Sequence, residues 1–248
     1  NKKSITYDPI ATSVFYNTVE GLGLKYAVTL RQGFDEGKYY TIKPEVRYGF
    51  ANEHFNANIK SKYLFDASRN GAVALGFGSE VANLSSQKQT NLLRNTINAL
   101  VFGKNPAKFY ERRFFNIEAS RELAPSFELK VSVDYARRKA LVNANLKSFR
   151  SEPNFTSNNP FAPEDENSLL FPTHKALVVS GTLAYTVAQK YISRPDGRFY
   201  MESNYPRIEV NYKRGLRGVF GSSVDYDFIG VEISNILSIM LEQLSRHG

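Results

Sequence analysis

Apolar and polar residues alternate one by one along much of this chain, as in β-strands, where successive side chains point to opposite faces. In residues 22–31 the even positions are Leu22, Leu24, Tyr26, Val28 and Leu30, while the odd ones are Gly23, Lys25, Ala27, Thr29 and Arg31. Residues 40–50 repeat the pattern, with Tyr40, Ile42, Pro44, Val46, Tyr48 and Phe50 against Thr41, Lys43, Glu45, Arg47 and Gly49. A third stretch sets Phe55, Ala57, Ile59, Tyr63 and Phe65 against Asn56, Asn58, Lys60 and Lys62. A fourth sets Phe127, Leu129, Val131, Val133 and Tyr135 against Glu128, Lys130, Ser132 and Asp134. Weaker alternation in 72–81, 115–123, 177–187, 208–216 and 226–233 brings the count to about nine strands.

Several of these stretches reach ten residues, beyond the mean of roughly five to six for strands of soluble domains and close to the ~9 to 11 needed to cross a bilayer. Aromatic residues bracket the apolar positions (Tyr40 and Phe50, Phe55 and Phe65, Phe127 and Tyr135), and the intervening positions carry both signs of charge. The predicted fold is therefore all-β: an antiparallel transmembrane-type β-barrel, or a barrel fragment, occupying 1–248 as one domain. Leu24, Tyr26, Val28, Ile42, Val46, Ile59, Leu129, Val131 and Val133 are expected to face lipid. Lys25, Arg31, Lys43, Glu45, Arg47, Lys60, Lys62, Glu128 and Lys130 are expected to face the interior. A soluble sandwich or barrel also alternates, with its apolar face inward, so a soluble β-rich binding module stands as an alternative.

Two segments depart from the alternation. Residues 85–102 place Leu92, Leu93, Thr96, Ile97, Leu100 and Val101 near helical spacing before Gly103, predicting an inserted helix that plugs the lumen or caps one mouth. Residues 149–172 hold Pro153, Pro160, Pro163 and Pro172 and the run Glu164-Asp165-Glu166, predicting a long loop open to external contacts, its acidic run a solvated tip. Residues 237–244 read as helical, and both ends of the chain read as those of a fragment or a processed protein.

Among 248 residues there are 18 Phe and 15 Tyr but no Cys or Trp, and 42% are hydrophobic against 23% charged. That balance excludes a disordered chain and a disulfide scaffold. With three histidines (His54, His174, His247), no Cys and no His pair at helical spacing, no metal site, cofactor or catalytic residue is assigned. A triad could still assemble across strands, so a membrane-embedded lipid hydrolase or acyltransferase using His54 or His174 is the enzymatic alternative. The net charge of +8 is spread over Arg112-Arg113, Arg137-Arg138-Lys139 and Lys213-Arg214 with Arg217, among acidic neighbours and without a nucleic-acid motif. These cations are expected to line the interior or to meet phosphates of outer-membrane lipid, including lipopolysaccharide, with no nucleic acid as partner.

Phe15-Tyr16-Asn17-Thr18-Val19-Glu20-Gly21-Leu22, the stretch 100–114 around Phe102-Gly103-Lys104-Asn105-Pro106, and Tyr205-Pro206-Arg207-Ile208-Glu209-Val210-Asn211-Tyr212 resemble a poorly characterised family of Bacteroidota outer-membrane proteins. In that family a carboxypeptidase-regulatory-like β-sandwich, not itself a peptidase, precedes a C-terminal β-barrel. The resemblance spans about 12–233 and rests on strand and turn signatures. It implies location in the cell outer membrane, a structural, scaffolding or transport-related role, and no catalysis. It also implies that the sandwich domain and the closing strands lie outside this chain.

Overall fold

In a strongly alternating segment the extended backbone gives each face one kind of side chain, and pairing such segments side by side extends the two faces into a sheet. The computed structural model describes residues 2–84, 92–168, 170–194, 197–201 and 205–234. All nine predicted strands are present: β3 (Gly21–Gly33), β4 (Tyr39–Gly49), β5 (His54–Asp66), β6 (Gly71–Asn83), β7 (Phe109–Ala124), β8 (Phe127–Ala140), β9 (His174–Thr186), β12 (Arg207–Gly215) and β13 (Tyr226–Ser234). Two short strands precede them, β1 (Lys3–Tyr7) and β2 (Val14–Asn17). A hairpin of β10 (Tyr191–Arg194) and β11 (Gly197–Tyr200) forms a separate small sheet between β9 and β12.

The large sheet runs in the order β1-β3-β4-β5-β6-β7-β8-β9-β12-β13, antiparallel at every pairing, with β2 also on β3. It does not close. Among the described residues β13 pairs with β12 alone, and β1 and β2 pair with β3 alone, so the expected barrel is present only as a large open antiparallel sheet.

Its two ends differ. Tight connections at 34–38, 67–70 and 125–126 lie at one end, together with the excursion bearing the β10–β11 hairpin. The other end carries the turns at 18–20 and 50–53 and the two long excursions, 84–108 and 141–173. The helix α1 (Leu92–Leu100) starts within the predicted 85–102, whose first seven residues lie outside the described ones, as does 237–244. α1 packs on β2, where Thr96 Oγ1 accepts the Tyr16 N–H at 2.9 Å. It thus sits beside the short strand β2.

The loop predicted at 149–172 lacks strand or helix among its described residues, but it is not simply an exposed excursion: Ser157, Asn158 and Asn159 are buried. It folds with 103–108 and the β2–β3 turn into a cap at its end of the sheet. Asn158 accepts the Phe109 N–H at 2.8 Å and donates to the Phe109 carbonyl at 2.7 Å, replacing the partners this backbone lacks where the ladder ends. Asn105 binds the Thr156 backbone through its donor (2.7 Å) and its acceptor (2.9 Å). The Thr18 carbonyl receives the N–H groups of Ala144 and Asn145. Val19, Val81, Ala107, Phe109 and Leu141 form a buried apolar cluster within it. Of the acidic run, Glu164 and Asp165 are exposed, whereas Glu166 turns inward to accept the Asn143 side-chain amide at 2.9 Å; the expected solvated tip is only two residues long.

Candidate membrane-facing surface

Directly paired residues of an antiparallel sheet share a face, so the register fixes the composition of each side. Leu24 pairs with Tyr48, Tyr26 with Val46, and Leu30 with Ile42. Ile59 pairs with Pro44 and with Phe77, which in turn pairs with Phe115. Ile117 pairs with Val133, and Val133 with Val179. Leu183 pairs with Val210 and Val210 with Val231. One face is thus apolar from β3 to β13. It carries all nine residues Leu24, Tyr26, Val28, Ile42, Val46, Ile59, Leu129, Val131 and Val133.

This apolar face is the uncovered one. Leu24, Val46 and Val131 are each 45% exposed, Phe77 52% and Val231 64%. Apart from the cap end, where Phe220 packs on Tyr135, no second layer covers this face among the described residues, and so broad an apolar surface differs from the scattered exposed hydrophobics of ordinary soluble proteins.

The opposite face carries Lys25, Arg31, Lys43, Glu45, Arg47, Lys60, Lys62, Glu128 and Lys130, related by pairs such as Lys25↔Arg47, Lys43↔Lys60 and Arg31↔Thr41↔Lys62. Here the charges are largely matched: Lys25 with Glu45 (3.0 Å), Lys60 with Glu80 (2.9 Å), Arg112 with Asp134 (2.6 Å) and Lys130 with Glu118 (3.2 Å). Towards the cap this face is enclosed. Glu20 from the β2–β3 turn is buried against Arg47, whose Nε donates to Oε1 at 2.7 Å and whose Nη2 donates to Oε2, while Asn17 adds a third hydrogen bond at 2.7 Å. Phe15 lies under the Arg47 guanidinium, 4.4 Å from ring centroid to Cζ, and fills the space over Gly23; a Cβ there would come within 2.3 Å of the ring. Asn56 is buried on the same face without a hydrogen-bond partner among the described residues.

Within the cap, Lys108 is held by Thr156 Oγ1 at 2.6 Å, and burial pulls its ammonium down to about 8, partly opposed by the charge of Glu166.

Pleating splits the adjacent cations of the sequence between the two sides. Arg112 and Arg138 pair on the charged face, while Arg113, Arg137 and Lys139 emerge on the apolar face at the cap end. There Arg113, Arg137 and Lys175 form a row across β7, β8 and β9, one step beyond the row Phe115, Tyr135 and Leu177. Beside them a recess of about 380 Å³ is lined by the cations Arg113, Arg137 and Lys139, the acids Glu53 and Glu111, and His54, Phe55, Ser79 and Thr173. His54 Nδ1 lies 3.1 Å from Glu111, an orienting contact of the kind a general base needs. Ser79 Oγ, however, accepts the Ala57 N–H, and no hydrogen bond joins it to His54. His174 opens β9 as a polar residue at a strand entrance, its Nδ1 2.9 Å from the Pro172 carbonyl. Among the described residues no three His, Asp or Glu side chains converge as a metal site would require, and no helix is long and apolar enough to cross a membrane.

The chain matches, over residues 1–246, the family model described as the C-terminal domain of a family of unknown function, DUF5686. It belongs to that family. No curated protein and no solved structure matches this DUF5686 C-terminal domain.

Proposed function

We propose that this DUF5686 domain forms part of an outer-membrane β-barrel with a structural, scaffolding or transport-related role and no catalysis of its own. The observation that carries the reading is the sidedness of the sheet: nine strands present one apolar face outward, while the charged face is the partly enclosed one. In water this arrangement exposes what the hydrophobic effect buries and confines what water solvates best; in a bilayer both faces are satisfied. The dimensions agree. Tyr40 and Tyr48, Phe55 and Tyr63, and Phe127 and Tyr135 are each eight residues apart on this face, a spacing of about 27 Å along a strand, or ~21 Å across a bilayer at the usual tilt. Hydrocarbon offers no hydrogen-bond partner, so in lipid β13 and the β1–β2 edge pair, with each other or with further strands. The resemblance of 15–22, 100–114 and 205–212 to Bacteroidota outer-membrane proteins supports the same reading.

Gel mobility with and without boiling, after folding in buffer and in detergent or lipid, tests this. A heat-modifiable band that forms only with detergent or lipid is expected. A compact monomer in plain buffer overturns the reading in favour of a soluble β-rich module. Release or transfer of acyl chains, abolished by His54→Ala, overturns the non-catalytic assignment in favour of a lipid hydrolase or acyltransferase.

A further inference from the structure

The cations at the cap end of the apolar face are not explained by the sheet. On the charged face most cations have a carboxylate within 4 Å, but Arg137, Lys139 and Lys175 have no ion-pair partner among the described residues. Arg113 reaches Glu111 at 3.6 Å and remains 72% exposed. At the opposite end of the same face Arg121 is neutralised by Asp66 at 3.0 Å. Among the strand cations of the apolar face, those without a partner therefore lie at one margin.

Position determines what that margin can meet. The row of Arg113, Arg137 and Lys175 lies two residues beyond Phe115, Tyr135 and Leu177, about 7 Å further along the strands. With Phe115 and Tyr135 at the hydrocarbon boundary, the cations sit at headgroup depth. Guanidinium groups bind phosphate oxygens through paired N–H donors, and Lys139 adds a point charge. The recess between them is large enough for a phosphate group, and Ser79 and Thr173 bring hydroxyls to it. Phe55 and Phe115, both more than half exposed, flank it on the hydrocarbon side, where acyl chains would lie.

We propose that this recess binds the phosphate of a membrane lipid, with Arg113, Arg137 and Lys139 as its anion-binding residues and the acyl chains laid along the adjoining aromatic row. The proposal rests on the membrane reading above and gives that surface a specific lipid partner. Its source is a lipid headgroup rather than free phosphate because the recess opens beside the apolar band.

The test uses the purified protein, first floated with phosphatidylcholine vesicles and then folded in neutral detergent containing trace phosphatidic acid or phosphatidylcholine, with retained lipid quantified after gel filtration. Retention of phosphatidic acid over phosphatidylcholine by about tenfold is expected, falling about tenfold or more in R137Q/K139Q. Arg207→Gln, on the charged face, should leave retention unchanged. Inorganic phosphate at millimolar concentration should not displace the lipid. Flotation with equal retention of both lipids, or undiminished preference in R137Q/K139Q that keeps its heat-modifiable band, overturns the site while leaving the membrane reading intact. Displacement by inorganic phosphate alone makes it a site for free anions and overturns the lipid assignment. Failure to float overturns both.

Discussion

At the scale of single residues, the cap shows how polar side chains finish a sheet whose ladder has run out. Asn105, Asn158 and Glu166 supply hydrogen bonds to backbone that no strand pairs, so this end is held by side-chain amides as much as by apolar packing. Lys108 is set among them, and its lowered affinity for a proton has a defined consequence. Between about pH 8 and the ordinary lysine value of ~10.5 the unfolded chain holds a proton that the folded chain does not, so linkage makes stability rise with pH through that window and leaves it flat below pH 8. Hydrogen exchange at the Phe109 amide, which Asn158 accepts, should slow as pH is raised from 8 towards 10.5 once intrinsic exchange is subtracted. Lys108→Met should remove that dependence; a variant that keeps it would show that another group titrates.

At the scale of elements, the nine long strands were legible because alternation over ten or so positions leaves one assignment of faces, and a slip by one residue would invert every pair. The four strands that sequence reading missed are only four or five residues long, too short for a period to register. Strand ends were missed for a different reason. β7 begins at Phe109 and β8 runs to Ala140, past the apolar alternation and through Arg112-Arg113 and Arg137-Arg138-Lys139. The ladder continues there while hydropathy no longer alternates, and the recess lies in this region. Composition shows the cations; only the register shows that every second one joins the apolar face. The assignment of faces predicts a large asymmetry between neighbours. Val131→Arg should weaken folding in lipid by ~2 to 4 kcal/mol, the cost of a cation near the middle of the bilayer. Lys130→Arg keeps its charge beside Glu118 and should leave the urea midpoint of the lipid-folded protein where it was. Equal effects at the two positions would remove the distinction between the faces.

At the scale of the whole molecule, the sheet is inside out by the standards of a protein in water, and its exposed apolar side and the cations at one margin of that side are what the proposed lipid setting would satisfy. The buried Glu20–Arg47 pair and the cap close one end of the charged side, which the alternating pattern did not foretell because it depends on contacts between segments far apart in the chain. The absence of tryptophan allows a direct test of the central claim. A single Trp placed in turn at Leu129, Lys130, Val131, Ser132 and Val133, in protein folded into vesicles of brominated lipid, reports which side chains touch acyl chains. Strong quenching by bromine is expected at 129, 131 and 133, with 130 and 132 quenched by aqueous iodide instead. Iodide quenching at all five positions with no effect of bromine, or the opposite alternation, would contradict that claim.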